Sequence, residues 1–357
     1  MRNRLYLDIH ILQTVPPSCI NRDDTGSPKT AIYGGVTRAR VSSQAWKKAT
    51  RDVFRETLPE TEVGVRTKRI QAMVADELNK LGYSGDANAG AHTVLIAAGL
   101  SEKTLDAGRD SALFFMSRVQ ARNLAQLIID GAELNKKQVQ NAMNASPSID
   151  LALFGRMVAE NANLNIDASC QVAHAISTHK VMNEYDYFTA VDDFPSEEKS
   201  NAGAAMIGTV EYNSSTLYRF ATVAVHDLSV QLGGMDLAIQ AVRTFTDAFI
   251  RSMPPGKMNT FANKTLPNTV YIIIRPDQPI NLVGAFERPV KASDMGYVEA
   301  SAKELVKQAN DAKKWAMQPI ASLAVGDLMA GIEGIEVVDS LGNLLSRMEK
   351  ELEGAMR

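Results

Sequence analysis

At 357 residues the chain is too long for one simple core, so two domains or one domain with large insertions are expected. Its 45% hydrophobic and 22% charged residues suit a globular protein, and a formal net charge of −3 excludes a histone-like polyelectrolyte, so any nucleic-acid surface must be local. Two cysteines, Cys19 and Cys170, give no disulfide framework and suit a reducing cytoplasm, while the lack of a leader-like start or a long apolar run argues against secretion and membrane spanning.

The first element is a strand. Leu5, Leu7, Ile9 and Ile11 alternate with Tyr6, Asp8, His10 and Leu12, so residues 4–12 read as a half-buried strand with His10 on its open face. A long loop follows, marked by Pro16, Pro17, Gly26, Pro28, Gly34 and Gly35, and loops of this length inside compact domains are usually functional. It carries Asn21, Arg22, Asp23, Asp24 and Lys29. The two adjacent carboxylates admit two readings: a metal-binding or hydroxyl-activating pair, or local turn caps with Arg22 as a neighbour. Gly34-Gly35 is no phosphate loop, because the closing Lys-Ser/Thr is absent.

Residues 37–55 carry six Lys or Arg against one acid, Asp52. Ser42 and Ser43 stand where an N-cap belongs, and Trp46, Ala49, Val53 and Phe54 share one helical face. Lys47, Arg51 and Arg55, spaced by four, form a cationic stripe with Lys48 adjacent and Arg38 and Arg40 just upstream. A helix start offers free N–H groups and a positive dipole end, and hydroxyls, the Gln44 amide and this stripe make it a seat for backbone phosphates. A merely solvated basic face is the competing reading.

From Pro59 to Ala173 the pattern is helical and alanine-rich, with no competing strand, and reads as an inserted lobe. Cys170, His174 and His179 match no standard zinc spacing. Residues 185–216 have β-like ends and a polar middle, an extended arm in which Met206 and Ile207 are either a wedge between bases or packed back on the parent domain. Further strands are expected at Leu217–His226, Val270–Ile274 and Ile280–Phe286, with an amphipathic helix from Leu237 to about Pro254 and a helical tail from Ser301. The whole is α+β: a ferredoxin-like βαββαβ plan, which is also the RNA-recognition-motif (RRM-like) fold, split by a helical insertion. The aromatic signatures of that motif are missing.

The blocks PSCINRDD, AIYGG followed by RVSSQAWKKA, LALFGRMVAENANLNIDA, VAHAISTH, DYFTAVDD and AFERPVKA stand in order along nearly the whole chain. Together they resemble the CasC backbone subunit family of type I-E CRISPR Cascade, within the RAMP superfamily. The resemblance implies a right hand: palm over 1–57, helical fingers over 58–173, a palm link over 174–189, a β-hairpin thumb over 190–216, and palm with C-terminal helices over 217–357. It also implies several copies in a helical filament along a CRISPR RNA guide, beside other Cascade subunits, with guide bases left to pair with target DNA. By matching motif, Asn21, Arg22, Lys29, Arg38, Arg40, Ser42, Ser43, Gln44, Lys47, Lys48, Arg51, Arg288 and Lys291 are expected at the RNA backbone. Met157 resembles a family methionine packed against a kinked nucleotide, and Met206 or Ile207 is the expected thumb wedge. The family often has a further lysine where this chain has Ser293.

The expected role is non-catalytic RNA binding for antiviral defence. A metal-dependent target-RNA endonuclease using Asp23 or Asp24 is the alternative, and a metabolic α+β enzyme ranks below both, since no cofactor fingerprint is present.

Overall fold

The computed structural model describes residues 4–106, 113–190 and 206–355. Its first strand, β1 (Tyr6–Ser18), is longer than the alternation predicted and is buried on both faces. Leu7, Ile9, Ile11 and Val15 face one hydrophobic core, while Leu12 faces a second. Asp8 and His10 are fully buried with Leu12, which corrects the half-buried strand and the surface histidine: helices cover both sides of the sheet, so alternating residue type marks two different interiors. Pro16 and Pro17 coincide with a register shift against the neighbouring strand between Val15 and Ser18, where missing N–H donors are tolerated.

The expected loop is shorter than predicted. Thr30–Tyr33 (β2) and Val36–Val41 (β3) form a hairpin whose turn is Gly34-Gly35, both at positive φ. Helix α1 (Ser43–Thr57) then buries Trp46, Ala49 and Phe54 on one face. Each such large apolar side chain contributes about 1.5–3 kcal/mol when fully buried.

The inserted lobe contains a two-stranded ribbon, β4 (Val65–Thr67) with β5 (Phe114–Met116), that helical spacing did not reveal. Around it pack α2 (Ile70–Lys80), α3 (Ala87–Ala97), α4 (Glu102–Leu105), α5 (Arg118–Ile129) and α6 (Lys136–Asn144). These elements share their own core, including Ile70, Val74, Leu78, Leu95, Leu124 and Val139. Asp86, Ser101, Ser117 and Asn135 cap four of these helices through their side chains, Ser117 in a reciprocal capping box with Gln120. Helix α7 (Ile149–Phe154) leaves the lobe and packs Leu153 and Phe154 on the main core.

The chain returns to the sheet as β6 (Cys170–Val172) and β7 (Ala175–Ser177), both paired with β9 (Met206–Ala224). Before β9 comes β8 (Glu184–Ala190), which pairs with its first residues from Glu184↔Tyr212 to Ala190↔Met206 and makes a projecting ribbon. Then follow α8 (Val225–Leu232), α9 (Met235–Arg251), α10 (Met258–Phe261), β10 (Thr269–Arg275), α11 (Val298–Ala312), β11 (Ala321–Val325), β12 (Glu336–Val338) and α12 (Leu341–Gly354). The expected strand Ile280–Phe286 is instead a 3-10 turn, Leu282–Phe286, and the sequence reading missed β11 and β12.

The main sheet has the order β12-β11-β10-β1-β9-β7-β3-β2. Its centre, β10-β1-β9 with β6 and β7, is antiparallel at every step, so four successive strand positions of the chain lie in the order 4-1-3-2. Helices α1 and α9 occupy the two crossovers and share a core with α8 and α12 on one face. On the other face, α11 and the 3-10 turn cover Leu12, Tyr218 and Tyr271.

Candidate nucleic-acid interface

The start of α1 is built by its own sequence and by a loop twenty residues earlier. The Ser42 hydroxyl accepts the Ala45 N–H at 3.2 Å, which makes Ser42 the N-cap. The Ser42 N–H in turn donates to Asn21 Oδ1 at 2.9 Å. Among the described residues the amides of Ser43 and Gln44 have no protein partner, so two N–H groups face outward at the positive end of the helix dipole. Gln44 is exposed and Ser43 half-buried beside them.

The loop holds its shape through Asp23. One carboxylate oxygen accepts the Thr25 and Ser27 amides, each at 3.0 Å, and the Thr25 hydroxyl at 2.7 Å, and these bonds hold the carboxyl below its ordinary value. Lys29 N–H bonds the Asn21 carbonyl and Arg40 N–H bonds the Lys29 carbonyl, both at 2.9 Å. The closed loop presents Arg22 outward and sets Lys29 against Arg40. Arg40 donates to the Thr30 carbonyl and lies 3.4 Å from His174 Nδ1. Burial first, then the Arg40 and Lys29 charges, push the His174 pKa below its ordinary value.

A second basic segment lies between the 3-10 turn and α11. Arg288 and Lys291 are exposed there. Val290 N–H bonds the Thr178 carbonyl at 3.0 Å, and Tyr297 stacks on His179 at 3.6 Å between ring centroids. His179 is neutral: burial lowers its pKa, Nδ1–H donates to the Lys180 carbonyl and Nε2 accepts the Thr216 N–H.

The cationic stripe of α1 needs correction. Arg51 is buried, its Nε 2.7 Å from Asp150, and it also donates to the Gly64 carbonyl. Asp150 accepts the Gly64 N–H and the Ser148 hydroxyl as well, and a Cβ at Gly64 would lie 2.5 Å from the Phe115 ring. This dry joint fastens the inserted lobe to α1, and its acid is 99 residues away, beyond the reach of helical spacing. Lys48 and Arg55 both pair with Asp52, at 2.6 and 3.2 Å, while Lys47 sits half-buried over the Phe154 ring at 5.6 Å. Arg38 is likewise a buried structural cation, with no exposed surface and its donors on backbone carbonyls of Tyr33, Ser177 and Phe286.

Met157 stands 87% exposed, three residues beyond the Phe154 ring that carries Lys47. Its loop is held by Arg156, a residue the sequence reading passed over. Arg156 donates to the Leu164 and Phe115 carbonyls and to Asn144 Oδ1, and burial lowers its pKa to about 10. The backbones of Met206 and Ile207 lie opposite Ala190 and Thr189 in the ribbon, and their side chains fall outside the described residues. Most of the polar arm tip, 191–205, falls outside them too. Cys170 is buried with its thiol pushed up to about 12, whereas His174 is exposed beside Arg40 and His179 stacks on Tyr297. Among the described residues no group of three His, Cys, Asp or Glu is placed to hold a metal ion.

Asn21, Lys29, Arg40 and Ser42 are thus tied together at one helix entrance by the hydrogen bonds given above, with Arg22, Ser43 and Gln44 their neighbours in the chain, and Arg288 and Lys291 share a loop anchored to Thr178, just past β7. No curated protein matches the chain. Solved structures do, among them these two. A chain of a "CRISPR RNA-guided surveillance complex, pre-nicking" is 33% identical, with a TM-score of 0.83 over 97% of this chain and 100% of that one. A chain of a "CRISPR RNA-guided surveillance complex" is 29% identical, with a TM-score of 0.64 over 97% of this chain and 98% of that one. The profile of the family described as CT1975-like protein matches residues 7–346. The chain therefore belongs to the CT1975-like family, the CasC type of Cascade backbone protein.

Proposed function

We propose that this protein is a non-catalytic backbone subunit of a type I-E Cascade, and that it holds CRISPR RNA by its phosphates without reading its bases. The observation that carries the reading is the entrance of α1, where two unpartnered backbone amides open beside Arg22, Lys29 and Arg40. Backbone amides and cations recognise the phosphate chain and carry no sequence information, which suits a protein that must accept any guide. The 4-1-3-2 sheet serves as the palm, the inserted lobe as fingers and the β8–β9 ribbon as thumb. Copies stack along the guide beside other Cascade subunits. The thumb, through Met206 or Ile207, displaces bases at regular intervals, Met157 packs against the kinked nucleotide, and the bases between kinks pair with target DNA.

Mass measurement of the complex co-purified with its RNA tests the reading: several copies per guide and a periodic nuclease-protection pattern are expected, and one copy on unprotected RNA refutes it. The nuclease alternative loses support because the Asp23 carboxyl is occupied by its own turn. Magnesium-dependent cleavage of guide-paired RNA that Asp24→Ala abolishes would revive it.

A further inference from the structure

Arg38 was expected to touch RNA, yet it has no exposed surface. It carries its charge into the interior and meets carbonyls there: Nε donates to Tyr33 at 3.1 Å, Nη1 to Ser177 at 2.9 Å, and Nη2 to Phe286 at 2.7 Å and Glu287 at 3.4 Å. Burial lowers its pKa, and among the described residues no carboxylate bonds it. Placing a guanidinium so carries a desolvation cost that apolar packing would not. Its acceptors belong to three separate segments: the end of β2, the end of β7, and the turn leading into the Arg288–Lys291 loop.

Two further contacts join the same segments. The Gly34 turn lies so close to the turn that a Cβ there would sit 1.6 Å from the Glu287 carbonyl oxygen, and the Tyr33 hydroxyl donates to the Val283 carbonyl. Arg40 follows Arg38 by two residues in β3, so both project from one face of that strand, about 6–7 Å apart. The loop that covers Arg38 therefore runs beside Arg40.

We propose that Arg38 is a positioning residue that fixes the Arg288–Lys291 segment against the Lys29–Arg40 surface, so that two basic segments far apart in sequence meet consecutive phosphates of one nucleic-acid strand. The planar fork is what does this: it sets the directions to three backbones at once, which a lysine ammonium cannot. The inference rests on the RNA-backbone reading given above.

The test is binding of a guide-length single-stranded RNA by the full chain across a salt series. In the native protein, Arg288→Ala with Lys291→Ala flattens log K against log salt by roughly 0.7 per lost contact. In Arg38→Gln or Arg38→Lys the slope is already flattened, the same double substitution adds nothing, and Lys29→Ala still acts in full. A structural role alone would lower the melting temperature and leave the 288/291 effect intact, and that result overturns the inference. If the double substitution is silent in the native protein, the RNA reading of this loop falls and the inference falls with it. Should the Arg38 variants fail to fold, Gly34→Ala displaces the Glu287 turn from the opposite side and must give the same non-additivity; full additivity there refutes it.

Discussion

Asn21 Oδ1 accepts the backbone N–H of Ser42 at 2.9 Å, so a loop residue occupies the donor that precedes the first turn of α1. This bond joins the Arg22–Lys29 loop to the two open amides of Ser43 and Gln44. Asn21→Ala should cost about 1–2 kcal/mol, the usual loss for an orphaned partner. It should also weaken RNA binding by more than its stability loss explains, because the loop cations lose their register. Chemical denaturation and RNA titration on the same variant check both halves. Unaltered RNA affinity would mean that the loop holds its place without this bond.

Arg51→Ala breaks a buried ion pair and leaves Asp150 and its Gly64 contact uncompensated. A loss of about 3–5 kcal/mol is expected, with faster proteolysis between α1 and the lobe. The salt dependence of RNA binding should keep its slope. Urea unfolding and a salt titration check this, and a flattened slope would restore Arg51 to the RNA surface.

Lys29→Ala with Arg40→Ala should weaken binding about equally for all RNA sequences and flatten the salt slope by roughly 0.7 per lost contact. The same substitutions remove two of the causes that depress the His174 pKa, so it should rise toward its ordinary value in an NMR titration. Sequence-selective loss contradicts the backbone grip.

Two buried groups on β1 oppose each other in pH. Burial raises the Asp8 pKa to about 6, so its contribution is present in acid and lost as pH rises through 6. Burial lowers the His10 pKa to about 3, so its contribution is present above 6.5 and lost as pH falls toward 3. Between pH 4 and 6 the two slopes have opposite sign. Asp8→Asn should remove one of them and make stability rise more steeply with pH over that window, as read by urea denaturation at pH 4.5 and 6.5. An unchanged slope would show that Asp8 does not titrate there.

Much of the α1 entrance was legible in the chain itself. The N-cap at Ser42 and the Trp46–Ala49–Phe54 face follow from local spacing, and both stand in the fold. Charge proved a poorer guide than period. Lys47, Lys48, Arg51 and Arg55 look alike along a helix, yet they meet three different fates: Lys47 on the Phe154 ring, Lys48 and Arg55 on Asp52, and Arg51 buried on Asp150. Arg38 and Arg40 are separated by one residue, yet the carbonyls of Tyr33, Ser177 and the Phe286 turn close over the first and not the second. The strands β4, β5, β11 and β12 were missed because three to five residues carry too little alternation to stand out.

The central strand has a consequence for biosynthesis. β1 is synthesised before the strands that flank it, yet the hydroxyl that meets His10 Nδ1 belongs to Tyr218, 208 residues later, and its other flank waits for β10. At about 5–20 residues per second, a strand whose Leu7, Ile9, Ile11 and Leu12 end up fully buried stays unpaired for ten seconds or more. Meanwhile the inserted lobe, with a core of its own, is free to consolidate. Productive synthesis thus calls for a shield over the nascent β1, and slower translation upstream of β9 should increase aggregation of the newborn chain.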